Sequence, residues 1–396
     1  MAKVVMCWEL GGDLGHVARM KPLAEALHAR GHRVSFIVRE PLSAERLLDP
    51  QRFRWFQAPY QSEGIPNPIR PTLTMAAVMH NCGFNSSRAL LGRLHAWRNL
   101  YALLKPDLLV FDHSPTAMLA AQGLKTPRIV LGTGFGIPPS TSPLPPFEPH
   151  KAEGIVEMED GIRARVNEAL AGLDVPPLTR LADLYRAQAD VFFTFKELDH
   201  YPGREAADYW GPTRQDGGVV PAWPAVPGRR VFAYLKPFKT LEPLLETFKQ
   251  AGHPMLIYLS KGAEAVRKKY ADAPNLSFSD KPVELKRAAT EAELVVCHSG
   301  HGTISAALLA GKPLLLLPLN MEQRMLSLRV AELGAGLAAP ALAPEGMRQK
   351  FQRLMAEPAF TAAARGFAER YRDLRVEEIP ERFAALAERL LASEAP

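Results

Sequence analysis

The chain has 396 residues, of which 47% are hydrophobic and 23% charged, and its formal net charge is +6. This length predicts two domains, and the composition is that of a globular protein rather than a disordered one. No apolar run approaches the roughly 20 residues of a bilayer span, so the sequence predicts no transmembrane segment. The 42 acidic residues nearly balance the 48 basic ones. This balance argues against nucleic-acid binding but leaves an anionic substrate or a peripheral contact with an anionic membrane open.

The cysteines predict neither a disulfide framework nor a zinc site, because they are three in number and widely separated. We expect Cys7, Cys82 and Cys297 to be buried as small hydrophobic residues. Residues 1–10 lack the pattern of a secretory signal, which favours a cytoplasmic location. No Asp-x-Asp pair or cluster of histidines and carboxylates indicates a metal site.

The first predicted elements are a strand, a glycine turn and a helix. An apolar strand covers Val4–Trp8, and helical spacing of apolar residues then continues to Leu27 before a second strand at Val34–Val38. Pro22 is expected either in the first turn of this helix or at a kink, because proline lacks a backbone N–H. The glycines of the turn are Gly11, Gly12 and Gly15.

The pattern loosens between Pro41 and Leu100, where apolar, aromatic and proline residues mix with helical stretches such as Ser87–Leu104. Such a segment is typical of an elaborated pocket wall. Order returns with a strand over Asp107–Phe111, which places Asp112 at its carboxyl end. Ser114 and Pro115 then predict the N-cap and first residue of a helix.

A strand over Arg128–Leu131 leads into a glycine-, proline- and serine-rich segment, Gly132–Pro149. This composition predicts a long loop on a substrate-facing edge, with Gly134 within it. Glycine and proline concentrate again between Gly211 and Gly228, which predicts a domain boundary. We therefore expect an N-terminal domain over 1–212, a linker over 213–228, a C-terminal domain over 229–375, and a helix over 376–396 that packs back on the N-terminal domain.

Strands and helices alternate again after this boundary, which predicts a second parallel α/β domain. The predicted strands are Val231–Leu235, Met255–Leu259, Leu276–Ser279, Leu294–Cys297 and Pro313–Leu317. The predicted helices are Thr240–Gln250, Ala263–Tyr270, Val283–Ala289, Thr303–Ala310 and Met321–Leu333, with a helical tail from Ala343 onward. The economical fold is two facing Rossmann-like domains with a cleft between them, without solenoid repeats.

The stretch from Val295 to Gln323 is the most informative part of the sequence. A buried strand ends before Gly300 and Gly302, whose small size lets backbone N–H groups at the start of the next helix face an anion. His298 and Thr303 add side-chain donors. The following apolar strand delivers a Glu-Gln pair to the same edge of the sheet. The segment therefore predicts a phosphate-binding crevice.

Both halves of the chain resemble the nucleotide-sugar-dependent glycosyltransferases of the GT-B fold, close to the macrolide and UDP-glycosyltransferase family. The N-terminal half carries the resemblance in Gly15-His16 and at residues 23–27 and 30–34. The C-terminal half carries it in the sequence His-Ser-Gly-His-Gly-Thr at 298–303, Gly-Lys-Pro at 311–313, Pro318, and Glu322-Gln323. The resemblance implies a nucleotide-sugar co-substrate and no other cofactor.

The resemblance also implies an inverting, metal-independent transfer in which His16 deprotonates an acceptor hydroxyl and Asp112 orients His16. A carboxylate on one imidazole nitrogen fixes the tautomer and stabilises the imidazolium that forms. Both residues follow adjacent predicted strands, so contact is expected. The alternative is that His16 packs at a helix start while Asp112 caps the next helix. Gly12, Gly15 and Gly134 are the expected acceptor-side loop residues.

For the donor, the resemblance implies that His298 and the amides around Gly302 bind the diphosphate, while Glu322 and Gln323 hold sugar hydroxyls. His301 is expected to be an exposed filler of the turn. The implied donor-binding residues are His298, Ser299, Gly300, Gly302, Thr303, Glu322 and Gln323.

Several positions depart from the pattern of the family. Members that use UDP-sugars commonly place a glutamate where Ala306 stands, to bind the ribose hydroxyls. A dTDP-sugar has no ribose 2′-hydroxyl, so both donors stay open. Ser299 replaces a glycine and Glu322 an aspartate. A tryptophan that often stacks on the base has no counterpart around Ser279–Leu285.

The sequence thus predicts a glycosyltransferase that moves a sugar from a UDP- or dTDP-sugar to a hydroxyl of a small apolar or lipid-linked acceptor. One alternative is a nucleotide-sugar epimerase, which would need further acid and base carboxylates. Another is a non-catalytic relative that acts as partner or activator of another enzyme. A nicotinamide-dependent oxidoreductase is the weakest, because Gly11–Gly15 only superficially resembles a dinucleotide turn. The acceptor, the sugar and the oligomeric state are not encoded in a readable pattern.

Overall fold

The computed structural model describes residues 1–12, 14–148, 153–205, 207–213, 217–260, 262–339 and 343–393. The end of the predicted 132–149 loop, residues 214–216 of the predicted linker and the last three residues of the chain lie outside this description. The chain divides into two compact units. The first comprises Met1–Phe193, Tyr201–Arg214 and Arg375–Pro396, and the second comprises Thr194–His200 and Gln215–Leu374.

The first unit contains a six-stranded parallel sheet in the order β3-β2-β1-β4-β5-β6. Its strands are β1 (Lys3–Trp8), β2 (Arg33–Val38), β3 (Arg54–Gln57), β4 (Leu108–Asp112), β5 (Arg128–Gly132) and β6 (Ala189–Phe192). Its first six helices are α1 (Gly15–Ala29), α2 (Pro41–Leu47), α3 (Met75–Met79), α4 (Ser87–Leu104), α5 (Pro115–Ala120) and α6 (Ile155–Ala171). The chain reverses its winding direction between β1 and β4, where ligands bind in doubly wound sheets.

The second unit repeats this topology, with a six-stranded parallel sheet in the order β12-β11-β10-β7-β8-β9. Its strands are β7 (Val231–Leu235), β8 (Met255–Leu259), β9 (Leu276–Ser279), β10 (Leu294–Cys297), β11 (Leu314–Leu316) and β12 (Gly336–Ala338). Its helices are α7 (Leu241–Ala251), α8 (Glu264–Lys269), α9 (Leu285–Glu291), α10 (His301–Leu309), α11 (Met321–Glu332), α12 (Pro344–Ala356) and α13 (Pro358–Arg370). Here β7 and β10 occupy the reversal point. The prediction of two Rossmann-like domains is confirmed.

The predicted bounds of strands and helices agree best with the observed bounds where the sequence is apolar. The predicted bounds of β7, β8, β9, β10 and α4 are those observed. The strands that the sequence did not predict are β3, β6 and β12. All three are edge strands of three or four residues, each with residues that are not buried, so they lack a long apolar run. Short edge strands depend on pairing with a neighbour rather than on their own pattern.

One of the two alternatives for Pro22 and the expected burial of Cys82 were wrong. Pro22 does not sit in the first turn, because it lies inside α1, seven residues after the helix start at Gly15. Its missing N–H leaves the carbonyl of Ala18 without the usual helical donor. Cys82 is half-buried, whereas Cys7 and Cys297 are buried as expected.

The last helix, α14 (Ile379–Ser393), belongs to the first unit although the whole second unit precedes it in sequence. It packs against α1, and Phe383 and Ala384 are fully buried in the core of the first unit. At its exposed side Arg30 of α1 makes ion pairs of 2.7 Å with Glu381 and 2.6 Å with Glu388. None of the helices in the described part of the chain has the length and hydropathy of a membrane span.

Replacing Phe383 by alanine should therefore destabilise the first unit by about 3–5 kcal/mol, the usual cost of emptying a buried phenylalanine site. The exposed Arg389→Ala variant of the same helix is the control, with an expected change within about 0.5 kcal/mol. Denaturant unfolding followed by tryptophan fluorescence measures this effect. Four of the five tryptophans, Trp8, Trp55, Trp97 and Trp210, lie in the first unit. Equal effects of the two variants would contradict a docked α14.

Candidate active site

His16 lies at the winding reversal of the first sheet, beside the end of β4. The chain leaves β1 at Trp8, turns, and enters α1 at Gly15, so His16 is the second residue of that helix. Trp8 is in register with Asp112 of β4. The Nδ1 atom of His16 lies 3.0 Å from Oδ2 of Asp112, and the carboxylate side chain is only 2% exposed. The structure thus brings together the two residues that the sequence proposed as a pair.

Two further neighbours, Trp8 and Gly11, hold the imidazole of His16 in place. The indole of Trp8 stacks on it, with ring centroids 5.0 Å apart and an interplanar angle of 16°. Trp8 itself is fixed by its Nε1–H, which donates to the carbonyl of Leu10 at 2.7 Å. Gly11 lies against the other ring nitrogen, since a Cβ built there would be 2.6 Å from Nε2. With a φ of +88°, this position requires glycine for both conformation and space.

Arg19 is a member of this site that the sequence analysis missed. Its Nη1 atom donates to Oδ2 of Asp112 at 2.8 Å, the same oxygen that His16 contacts. Burial raises the pKa of Asp112, but Arg19 and then His16 oppose this effect, so the pKa lies below its ordinary value. Asp112 is therefore ionised at neutral pH. The available sequence signal was the spacing, because residues three apart share one face of a helix.

The neighbouring helix start is capped by Glu9 and not by Ser114 or Asp112. Ser114 occupies the N-cap position and Pro115 the first helical position, as predicted, but the Ser114 hydroxyl makes no capping bond. Instead the buried Glu9 carboxylate accepts from the backbone N–H of Thr116 at 2.8 Å and from its hydroxyl at 2.5 Å. Burial raises the pKa of Glu9 to about 7, against these hydrogen bonds. The alternative role of Asp112 as a helix cap is therefore wrong.

The expected acceptor-side glycines differ in their surroundings. Gly12 and Gly15 are exposed and have open space where a side chain would be, whereas Gly134 is buried with a φ of +102°. The loop after Gly134 is tied down at two points. The N–H of Leu144 donates to Glu159 at 2.6 Å, and the N–H of Phe147 donates to the carbonyl of Leu73 at 2.7 Å. This loop is a fixed wall near the end of β5.

In the second unit, His298 lies at the corresponding reversal point, directly after β10. Its Nδ1 is 2.8 Å from the carbonyl of Leu317 and its Nε2 is 3.2 Å from the carbonyl of Lys236. Burial lowers the pKa of His298. A neutral imidazole has one N–H, so only one of these carbonyls accepts a hydrogen bond from it. The ring of Phe238 packs edge-to-face against that of His298, with ring centroids 5.0 Å apart and an interplanar angle of 87°. This contact also fixes the plane of the imidazole.

Ser299 and Gly300 take structural roles in the turn before α10. Ser299 has a φ of +61°, which explains why glycine is the residue typical of this position. Its hydroxyl is buried against that of Ser327, 2.7 Å away. Burial raises the pKa of the Cys297 thiol to about 12, while backbone N–H groups of Ser299 and Gly300 directed at the sulfur oppose this effect. The Ser299 hydroxyl is therefore directed at Ser327, and the role of Ser299 and Gly300 in donor binding stays a prediction.

Helix α10 begins at His301, two residues earlier than predicted. The N–H of Ile304 is the first to bond back along the helix, to Gly300 at 3.1 Å. Gly302 and Thr303 precede it, where helical N–H groups have no intrahelical acceptor. His301 is not an exposed filler. It is half-buried, and its Nε2 lies 2.8 Å from the hydroxyl of Thr194.

The Glu-Gln pair begins α11. The side chain of Asn320 caps this helix by accepting from the N–H of Gln323 at 3.0 Å, and the side-chain Oε1 of Gln323 accepts from the N–H of Leu319 at 2.8 Å. Glu322 and Gln323 are both half-buried. Among the residues that the structure describes, no group of three or more His, Cys, Asp or Glu side chains is placed to hold a metal ion.

Comparisons with known proteins support this architecture. Residues 259–375 match the glycosyltransferase family 28 C-terminal domain. The chain is similar to the glycosyltransferase of kitacinnamycin, at 20% identity and a TM-score of 0.73, over 98% of this chain and 99% of that one. It is similar to CalG4, the calicheamicin glycosyltransferase, at 21% identity and a TM-score of 0.73, over 100% and 99%. It is also similar to the spinosyn rhamnosyltransferase SpnG, at 19% identity and a TM-score of 0.66, over 98% and 99%.

No curated protein sequence matches the chain significantly. The two sheets and their arrangement of strands nevertheless define a protein with the GT-B fold of glycosyltransferases. Its second unit carries the glycosyltransferase family 28 C-terminal domain. The resemblance inferred from the sequence is confirmed.

The strained turn at Ser299 yields a stability prediction. Ser299→Gly removes the Cβ from a left-handed residue, which should offset the lost hydroxyl contact with Ser327, whereas Ser299→Ala loses the contact and keeps the strain. We expect the glycine variant to be more stable than the alanine variant by about 1 kcal/mol. Denaturant unfolding followed by circular dichroism measures the difference. An alanine variant as stable as the glycine variant would show that the turn is unstrained.

Proposed function

We propose that the protein is an inverting, metal-independent glycosyltransferase that moves a sugar from a nucleotide diphosphate sugar to an acceptor hydroxyl. The observation that carries this proposal is the pairing of a half-buried imidazole with a buried, ionised carboxylate at the end of β4, 3.0 Å apart. In this reaction His16 accepts the hydroxyl proton at Nε2, while Asp112 holds Nδ1–H and stabilises the imidazolium. The acceptor oxygen then attacks the anomeric carbon, and the nucleotide diphosphate leaves with the electrons of the broken bond.

The donor diphosphate is proposed to bind at the start of α10. The first-turn amides of Gly302 and Thr303 and the positive end of the helix would stabilise the charge that develops on the leaving group. His298 would contribute only after giving up the Lys236 carbonyl, 3.2 Å from its Nε2. Gln323 NH₂ and Glu322 would hold sugar hydroxyls. These assignments rest on the elements at the reversal point of the second sheet.

The donor is proposed to be a dTDP-sugar rather than a UDP-sugar. Ala306 lies half-exposed on α10, and its methyl group cannot accept a hydrogen bond from a ribose hydroxyl. A dTDP-sugar lacks the 2′-hydroxyl and loses nothing at such a position. A structure of the similar protein SpnG is in complex with thymidine diphosphate, which supports this choice.

The acceptor is proposed to be a small apolar molecule with a hydroxyl group. The wall formed after β5 includes aromatic residues in mutual contact, Phe135 and Phe147, with centroids 5.3 Å apart. Both rings are largely buried, at 7% and 5% exposure, so only their edges would line an apolar acceptor pocket. Another structure of SpnG is in complex with spinosyn aglycone, which supports a small-molecule acceptor over a lipid-linked one.

Activity measurements test the proposed base. His16→Ala should lower kcat/KM for transfer by about 10²–10⁴-fold, and Asp112→Asn by about 10²-fold or more, without weakening nucleotide binding. The double variant should be no worse than His16→Ala, because the two groups act as one unit. His28→Gln, an exposed histidine of the same helix, is the control. Undiminished turnover in His16→Ala would rule out His16 as the base.

Thermal-shift measurements test the donor. Wild-type protein should be stabilised by dTDP, by roughly 2.7 kcal/mol at a hundred times the dissociation constant. UDP should stabilise it less, and Ala306→Glu should reverse this preference. GDP, ADP and NAD serve as comparison ligands. Turnover with UDP-sugars and none with dTDP-sugars would overturn the donor assignment, and nucleotide binding without turnover on any acceptor would favour a non-catalytic partner protein.

A further inference from the structure

One carboxylate oxygen of Asp112 serves two cationic or potentially cationic partners. Oδ2 lies 3.0 Å from Nδ1 of His16 and 2.8 Å from Nη1 of Arg19. All three side chains are largely shielded, with exposures of 17%, 15% and 2% for His16, Arg19 and Asp112. An ion pair in such surroundings is screened far less than one on the surface.

This arrangement follows from the helix and the sheet. His16 and Arg19 are one turn apart on α1, so both point to the end of β4, where Asp112 follows a strand that is buried throughout. The other groups near the imidazole are Trp8, which carries no charge, and His113, whose ring centroid is 6.4 Å away. Among the residues that the structure describes, Glu9 is a further carboxyl group of this site, and both of its oxygens are bonded to Thr116. Arg19 is thus the permanent cation that contacts the pair directly.

The guanidinium changes the charge balance of proton transfer. A carboxylate and an imidazole alone carry −1 before they take a proton and 0 afterwards, so the carboxylate strongly favours the imidazolium. With Arg19 the group carries 0 before and +1 afterwards. A cation next to a titrating base disfavours its protonated form. Arg19 therefore opposes the attraction of the Asp112 carboxylate for a positive charge on the imidazole.

We propose that Arg19 is a positioning residue that fixes the Asp112 carboxylate and sets the proton affinity of the His16–Asp112 pair. This inference rests on the proposed function for its role in catalysis. The electrostatic effect itself exists whether or not the protein transfers a sugar. It can therefore be measured separately from turnover.

The test is a histidine titration by ¹⁵N NMR of the full chain, with the His16 signal identified by its loss in His16→Gln. Arg19→Gln should raise the midpoint of this titration by about one pH unit, whereas Arg19→Lys, which keeps the charge, should restore most of the wild-type value. Lys21→Gln is the matched control. It removes one positive charge from the same helix, but Lys21 pairs with Glu25 at 3.6 Å and its side chain is 40% exposed. Its expected shift is at most about 0.2 pH units.

The same variants are then compared in the pH dependence of kcat/KM. The acidic limb of the pH profile of kcat/KM in Arg19→Gln should move to higher pH by the same amount as the NMR midpoint. A purely structural role would instead lower the rate at every pH and leave the limb in place.

An unchanged midpoint in Arg19→Gln, or an equal shift in Lys21→Gln, would overturn the inference. Absence of transfer by wild-type protein would count against the proposed function, while the NMR result would still decide the role of Arg19. If Arg19→Gln does not fold, Arg19→Met takes its place, with the same expected rise of the midpoint, and an unchanged midpoint in Arg19→Met would equally overturn the inference.

Discussion

The parallel pairing of β1 with β4 is the constraint on which the site depends. It places Trp8 directly beside Asp112, although the two residues are more than a hundred positions apart in the sequence. Because the chain turns once more before α1 begins, His16 arrives above this strand end with its ring on Trp8 and its Nδ1 on Asp112. The backbone N–H of Leu10 also donates to the carbonyl of His113 at 2.9 Å, which joins the two loops after these strands. A shift of register between β1 and β4 would separate every one of these groups.

Each of the two buried carboxyl groups near the ends of β1 and β4 has its own partners. Asp112 is held by Arg19 and His16, and Glu9 by the amide and hydroxyl of Thr116. An unpaired carboxylate at either position would carry a large desolvation cost. The two carboxyl groups respond differently, since cationic partners lower the pKa of Asp112 while burial raises that of Glu9. Asp112 can thus support a proton acceptor, whereas Glu9 holds the start of α5.

The second unit applies the same topology to a different chemical task. Among the described residues, no carboxylate is paired with His298 at its reversal point between β7 and β10. This point offers the beginning of α10, a buried imidazole that lies between two backbone carbonyls, and the capped start of α11. Backbone amides and helix ends suit a diphosphate, because they carry fixed partial positive charge without a titrating group. The proposed function therefore uses equivalent edges of two sheets with one strand order, one for proton transfer and one for anion binding.

The sequence by itself determined the alternation of strands and helices, because central parallel strands are apolar on both faces and leave an unmistakable run of residues. The resemblance to GT-B glycosyltransferases suggested His16 and Asp112 as a pair, and their positions after adjacent apolar strands made contact between them expected. Only the tertiary structure decided the edge strands β3, β6 and β12, whose short sequences are stabilised by pairing. It alone showed that Arg19 shares the Asp112 oxygen, that Glu9 rather than Ser114 caps α5, and that Ser299 turns its hydroxyl to Ser327. These contacts join residues 28 to 107 positions apart, so no local pattern encodes them.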